Sequence, residues 1–588
     1  MDIVTKSQFD QFKTQFGLSK LSDEDAFELF LIYSIASKYI KSDSVSKDLL
    51  MELNVGSGGD WGIDGIIPII NGKIVASIQE VEDLYKANQY LNVHIIFVQA
   101  KTSEHFDLGD FSKTLDGVEN IFRDVIGEVV SANCNSDLQD FRELIKYIYT
   151  KSADFQNGVN PLVSVYYSTC GVYNTDLVDF NSKIETTKSH ILSYDLVSRF
   201  DCHLCGRKEI VQLYKDTKTQ ISATIRVDQK ITMPDVFHVE ESYLCLLQFS
   251  EFKKLLMDEN GDIQDSIFND NIRAFQGENT VNHSIAQSIQ NGEINLFTAM
   301  NNGITVIAKE MRTTGQSIFL SDYQIVNGCQ TSNVLFMNRD VPNIDSLKLI
   351  VKLIASNDKG IRDKIIVGNN SQTEVKREQL VSLLDVQKTI EDYYIAQTKY
   401  EKLYYERRSK QFRSDGGKVP QNKVITIPFQ IKSFVSMILG EPHSVRGYYG
   451  SIVQQFDKNG LKVFSSDFRP ELYYTSALAC YKMTELFANK EIDRKYKKMK
   501  YHLLYAFRLM CEKTDIPDYK SNKTESYCDY LCSMLMDEER CKKGFAAATK
   551  MVDIALRRDP TDSDSTSKNV TLKLKELAKD ANDYRHKL

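Results

Sequence analysis

Apolar residues recur at two periods along this chain, and the switches between those periods divide it. From residue 22 to about 50 the spacing of Phe27, Phe30, Leu31 and Ile35 predicts a helix, with Ser22 as its N-cap and Asp25 three residues on. A glycine-rich bend follows at 56–65, then a strand at 65–70 and an Asn71-Gly72 pair. That pair is a strong hairpin signal, and the return strand is expected at 73–78. Residues 93–100 are apolar and β-rich, which predicts a buried strand. Helices are expected at 111–130 and 138–149, and another strand at 162–168. This order predicts an α/β unit whose sheet faces are covered by helices.

Strand patterns resume at 222–227 and 239–247, separated by a loop with Pro234 and followed by a short helix at 252–257. Asn302-Gly303 and Asn327-Gly328 then mark tight loops at strand ends, because Asn-Gly pairs accept left-handed backbone geometry. Val326-Asn327-Gly328 before 331–337 predicts strand, turn and helix N-terminus, a geometry able to hold an anion on free N–H groups. From about 428 the pattern turns helical, with apolar stripes at 474–488, 496–513 and 526–536 and a final helix at 570–585. A chain of 588 residues exceeds one core. The expected organisation is α/β multidomain: a unit at 1–220, a second α/β unit at 221–427 and a helical region at 428–588.

Composition narrows the chemistry. Hydrophobic residues make up 42% and charged residues 26%, as in an ordinary soluble protein. The net charge of −7 confines any nucleic-acid surface to a local patch. Eleven scattered cysteines without a signal peptide predict a reducing, cytoplasmic setting. Cys202-His203-Leu204-Cys205 is a lone C-x-x-C without a second ligand pair at zinc spacing. No apolar stretch reaches the ~18 residues of a membrane span, and no phosphate loop of the Walker kind is present. The run Lys495, Lys497, Lys498 and Lys500 reads as a solvated helix face or a DNA-tracking stripe.

Two pieces carry the candidate chemistry. In Gly58-Gly59-Asp60-Trp61-Gly62-Ile63-Asp64-Gly65-Ile66-Ile67 a carboxylate stands just before an apolar run, in a bend open to a ligand. In Ile95-Ile96-Phe97-Val98-Gln99-Ala100-Lys101 the strand period points Gln99 and Lys101 the same way. An acidic ligand on one strand, with a ligand and a lysine two apart on the next, is the set that metal-dependent phosphodiester cleavage requires. Mg²⁺ or Mn²⁺ is the expected ion. Asp60, four residues before Asp64, and Glu28, on the first helix beside its buried stripe, are auxiliary acids.

This pattern resembles the PD-(D/E)xK nuclease superfamily, and within it the Mrr-like restriction endonucleases. Asp64 matches the metal-binding aspartate and Lys101 the lysine, while Gln99 stands where the superfamily usually has an acid, as it does in Mrr-like enzymes. The resemblance implies a restriction-endonuclease-like α/β unit with Asp64, Gln99 and Lys101 as its catalytic set. Further on, Asn271-Ile272-Arg273, Asn301-Asn302-Gly303-Ile304-Thr305, Ile325-Val326-Asn327-Gly328-Cys329-Gln330-Thr331 and Glu406-Arg407-Arg408 resemble, in this order, elements of the AIPR family, the abortive infection phage resistance proteins. That resemblance implies bacterial anti-phage defence and a nucleic-acid setting.

Amides beside arginines suit contacts to bases and phosphates, so Arg273, Asn302, Asn327, Gln330, Arg407 and Arg408 are the candidate binding residues of the second unit. The expectation is a Mg²⁺-dependent DNA endonuclease acting in abortive infection, as a homodimer, with a phage-derived trigger and no membrane partner. Two alternatives stand beside it: a catalytically weak sensor of nucleic acid or phage components, and a nuclease that cleaves RNA.

Overall fold

The computed structural model describes the chain except residues 41–44, 131–132, 174–177, 218–221, 258–262, 264, 269–288, 290–296, 300, 371–384, 408–411, 413–418, 513, 558–567 and 581–588. It is a mixed α/β protein with several sheets and a helical C-terminal region. Among the described residues three large hydrophobic cores organise it, drawn from residues 9–214, 225–355 and 390–578.

In the first unit, α1 (Ile3–Phe16), α2 (Asp23–Tyr39) and α3 (Lys47–Leu53) precede β1 (Gly65–Ile70) and the short β2 (Lys73–Ile74). Then come α4 (Ile78–Asn88), β3 (Val93–Lys101), α5 (Leu108–Val125), α6 (Ser136–Tyr149), β4 (Leu162–Thr169), α7 (Val178–Ser193), β5 (Arg199–Cys205) and α8 (Arg207–Asp216). The five strands run in the order β2-β1-β3-β4-β5. The β1–β3 pair is antiparallel, and β3, β4 and β5 are parallel. Gly65 packs against Ile32 of α2, whereas Phe97 on β3 meets Phe122 of α5 with ring centroids 6.4 Å apart. The two faces are thus assigned: α2 covers one and α5 the other.

Two expected elements come out differently. The helix expected over 22–50 is two helices. Ser22 caps the first by accepting from Asp25 N at 3.1 Å, as its spacing predicted, and Ser46 starts the second by accepting from Leu49 N at 3.2 Å. The return strand expected at 73–78 stops after two residues. Ser77 accepts from Glu80 N at 3.3 Å while Glu80 reaches back to Ala76 N at 2.8 Å, so a helix-start signal overrides the strand pattern. The short β2 pairs with Ile69 and Ile70, and just past it Val75 N donates to Pro68 O at 3.0 Å, so Pro68 serves this edge as an acceptor and its missing N–H breaks no bond there.

The second core holds a sheet of six strands, β6 (Ser222–Arg226), β7 (Gln229–Thr232), β8 (Glu241–Gln248), β9 (Ile304–Thr314), β10 (Ser317–Asn327) and β11 (Lys348–Ala355). Their order is β6-β10-β9-β11-β8-β7. The helix Phe249–Leu256 packs beneath it, and helix Cys329–Met337 starts at Gly328, whose φ of 95° only glycine adopts without strain. The third core is built by helices Ile427–Met437, Pro470–Ala488, Lys500–Cys511, Lys523–Met536 and Glu538–Arg557, with stacked pairs Phe434–Tyr473 and Phe507–Phe545 at 4.2 and 4.3 Å. Among the described residues no helix is long and apolar enough to cross a membrane.

This helical region docks directly on the first unit through buried or half-buried ion pairs. Lys47 meets Glu485 at 2.6 Å, Lys432 meets Glu80 at 3.0 Å, and Lys500 lies 2.7 Å from both Asp48 and Glu52. The expectation for the lysine run is therefore corrected. Lys497, Lys498 and Lys500 bind Asp137, Asp140 and the Asp48–Glu52 pair of the first unit, and only Lys495 stands exposed, over the ring of Tyr496.

Candidate active site

Asp64 stands at the entrance of β1, where the chain leaves the glycine-rich bend and joins the ladder with β3. Its N–H donates to Val98 O at 2.8 Å, and its Oδ2 accepts from Ala100 N at 2.7 Å. The carboxylate takes the place of the next ladder carbonyl, which fixes it against the stretch between Gln99 and Lys101. Its own carbonyl accepts from Val55 N at 2.9 Å, Gly56 N at 3.2 Å and the Asn54 amide at 3.1 Å. Asp64 is 6% exposed and Gln99 4%.

Gln99 and Lys101 follow Phe97 by strand alternation onto the α5 face, and Lys101 confirms this by pairing with Asp110 of α5 at 3.2 Å. The amine is half-buried, tethered rather than loose in solvent. Among the described residues Gln99 Oε1 is buried without a hydrogen-bond partner. A buried carbonyl oxygen left unpaired costs about 1–3 kcal/mol, and such orphans call for an explanation.

Acids crowd this strand end. Glu28 of α2 accepts from the Asn54 amide at 2.7 Å and lies against Gly56, where a Cβ would stand 2.4 Å from its Oε2. Burial pushes the Glu28 carboxyl up to about 7; Asn54 and Arg494 oppose that rise, and Asp25 and Asp60 add to it. Asp64 is held well above the usual carboxylate range by burial and then by the Glu28 charge. The Ala100 N–H and the Lys101 ammonium pull in the other direction, and Asp60 raises it further.

Asp60 has a visible local task. Its Oδ1 accepts from Gly62 N at 2.8 Å and its Oδ2 from Gly58 N at 3.0 Å, so it builds the bend. Trp61 in that bend adopts a φ of 57°, held by its indole donating to Asn133 O at 3.2 Å and by the Arg142 guanidinium 4.8 Å from the ring.

The donors here that could hold a divalent ion are few. Among the described residues no three His, Cys, Asp or Glu side chains converge as a metal-binding group. The fit is instead one carboxylate, Asp64, with the orphaned Gln99 oxygen. Mg²⁺ accepts such a set, since it keeps waters and substrate oxygens around one or two carboxylates. A cation there also reverses the electrostatics that hold Asp64 toward its neutral form.

Of the residues named in the second unit, the described ones Asn302, Asn327, Gln330 and Arg407 make their contacts away from this site. Asn302 and Asn327 are exposed at the ends flanking β9 and β10, and Gln330 lies half-buried in the first turn of helix Cys329–Met337. Asn301 ties these loops together by donating to Thr331 Oγ1 at 3.0 Å. Arg407 is buried, with Nε 2.7 Å from Glu391, an ion pair inside the third core rather than a surface contact. Arg273 and Arg408 lie outside the described residues.

Residues 268–556 match the family model of the AIPR protein. That match covers β9 to β11 and the docked C-terminal helices through most of Glu538–Arg557, and it leaves out the unit that holds Asp64. No curated protein and no solved structure matched the chain. Sequence reasoning missed Asn54 and Arg494, which stand directly behind the site. Arg494 belongs to the AIPR-matching region, 440 residues from Asn54, and no local pattern links the two.

Proposed function

We propose that this protein is an anti-phage effector of the abortive-infection kind whose first unit hydrolyses phosphodiester bonds in DNA with Mg²⁺ or Mn²⁺. The defence role rests on the AIPR match over 268–556. The chemistry rests on one observation: Asp64 is fixed by Ala100 N–H between a buried, unpaired Gln99 oxygen and a tethered Lys101 amine. An antiparallel β1–β3 pair followed by parallel β4, with α2 behind it, supports a restriction-endonuclease-like reading of the unit.

Asp64 and Gln99 would hold the ion, which supplies Lewis acidity and a more acidic bound water. Lys101 offsets the negative charge that builds on the phosphate, and Asp110 holds the amine toward that position until substrate competes for it. Glu28 stabilises the Asp64 side of the site through Asn54. Cutting both strands of a duplex needs two such sites, so the proposed assembly is a homodimer, checked by its mass in solution.

A sensor without catalysis is the second reading. The neutral Gln99 and the absence of a three-acid group among the described residues favour it. One assay separates the readings. Purified protein is incubated with plasmid, single-stranded DNA or RNA and Mg²⁺ or Mn²⁺, beside Asp64→Ala and Lys101→Ala. Ion-dependent DNA cutting that both variants lose supports the proposal. Equal binding without cutting selects the sensor, and cleavage of RNA alone selects the ribonuclease. Folded variants that still protect cells from phage would sink the catalytic assignment.

A further inference from the structure

The strand end that carries Asp64 is held from the far end of the chain. Arg494 Nη2 donates to Asn54 O at 2.8 Å and to Asn54 Oδ1 at 2.9 Å, and Nη1 donates to Gly56 O. Asp137 of α6 anchors the same guanidinium at 2.9 Å, and Lys497 adds a bond to Asn54 O at 3.0 Å.

The consequence lies in the asymmetry of an amide. A guanidinium only donates, so it fixes which end of the Asn54 side chain is oxygen. The Asn54 NH₂ group is then forced to the other side, where it donates to Glu28 Oε2 at 2.7 Å and to Asp64 O at 3.1 Å. A lysine cannot replace this, because one ammonium lacks the planar fork that spans Asn54 and Gly56 together.

We propose that Arg494 is a positioning residue for the Asp64–Gln99–Lys101 site, acting through Asn54, so that the AIPR-matching region completes the site of the first unit. This rests on the metal-binding reading given above. Partners behind metal ligands commonly change affinity or activity 10–100-fold when altered.

The test measures Mn²⁺ binding to the full chain by calorimetry, with plasmid cleavage as a second readout. Arg494→Lys and Asn54→Ala are each expected to weaken Mn²⁺ binding about 10–100-fold. The double variant is expected to be no worse than the weaker single one, because both act through one bond chain. Lys490→Ala, which breaks the exposed Lys490–Asp25 pair at the same junction, is expected to bind like wild type. Arg494→Gln stands in if the lysine variant fails to fold. Arg494 variants that bind Mn²⁺ within about twofold of wild type, or a double variant whose losses multiply, overturn the inference while leaving the site intact. A wild-type chain that binds no Mn²⁺ overturns the inference and the metal reading together.

Discussion

Lys500 offers the sharpest check on how the two ends of the chain are joined. It opens helix Lys500–Cys511, is only 3% exposed as a residue, and places its ammonium 2.7 Å from Asp48 and 2.7 Å from Glu52. Burial alone would raise the Glu52 carboxyl, yet it sits at about 2, because Lys500 first and then Lys432 and Arg446 outweigh that burial. That depression means the charged Glu52 is stabilised in the folded chain, chiefly by Lys500. A depressed carboxyl contributes this stability above its unfolded value of 4.5 and loses it as the pH falls toward 2. Lys500→Met keeps the volume and strands two half-buried carboxylates, a change that typically costs about 3–5 kcal/mol. Urea denaturation of both proteins at pH 7 and pH 4 reads the difference. The expected loss is about 3–5 kcal/mol at pH 7 and clearly smaller at pH 4, where Glu52 without its ammonium partner takes up a proton. A loss under about 1 kcal/mol, or one equal at both pH values, would refute the claim that this buried triad holds the junction.

Two further outcomes probe the site itself. Gly56→Ala places a Cβ 2.4 Å from Glu28 Oε2 and forces that carboxylate off Asn54, so Mn²⁺ binding should weaken several-fold at a stability cost of about 1–2 kcal/mol; unchanged binding in calorimetry would remove Glu28 from the site. Gln99→Glu adds a charge beside Asp64, so the metal-free protein should lose about 1–3 kcal/mol while Mn²⁺ raises its melting temperature more than it raises that of wild type; equal shifts would mean that position 99 never meets the ion.

What could be read from the chain alone follows the range of the forces involved. Strand alternation acts over two residues, so the common face of Gln99 and Lys101 was legible, as was the Ser22 cap, which closes within three. The return strand failed because Ser77 and Glu80 form an equally local signal that outcompeted it. The lysine run failed for a different reason. A stretch of like charges reads as solvated until its counter-charges are known, and Asp48, Glu52, Asp137 and Asp140 lie hundreds of residues away.

The net charge of −7 hides this complementarity, since the basic segment of the third core and the acids of α3 and α6 cancel where they meet. The same cancellation bears on the proposed site. Withdrawing Arg494 takes the nearer cation from the buried Asp137 and leaves the Asn54 amide free to turn its oxygen toward Glu28. Two oxygens facing each other there would push the carboxylate away from the strand end that carries Asp64. On the proposed reading, the first unit would keep its site geometry only with the helical region seated, since Arg494 is joined to Asp64 by two hydrogen bonds through Asn54.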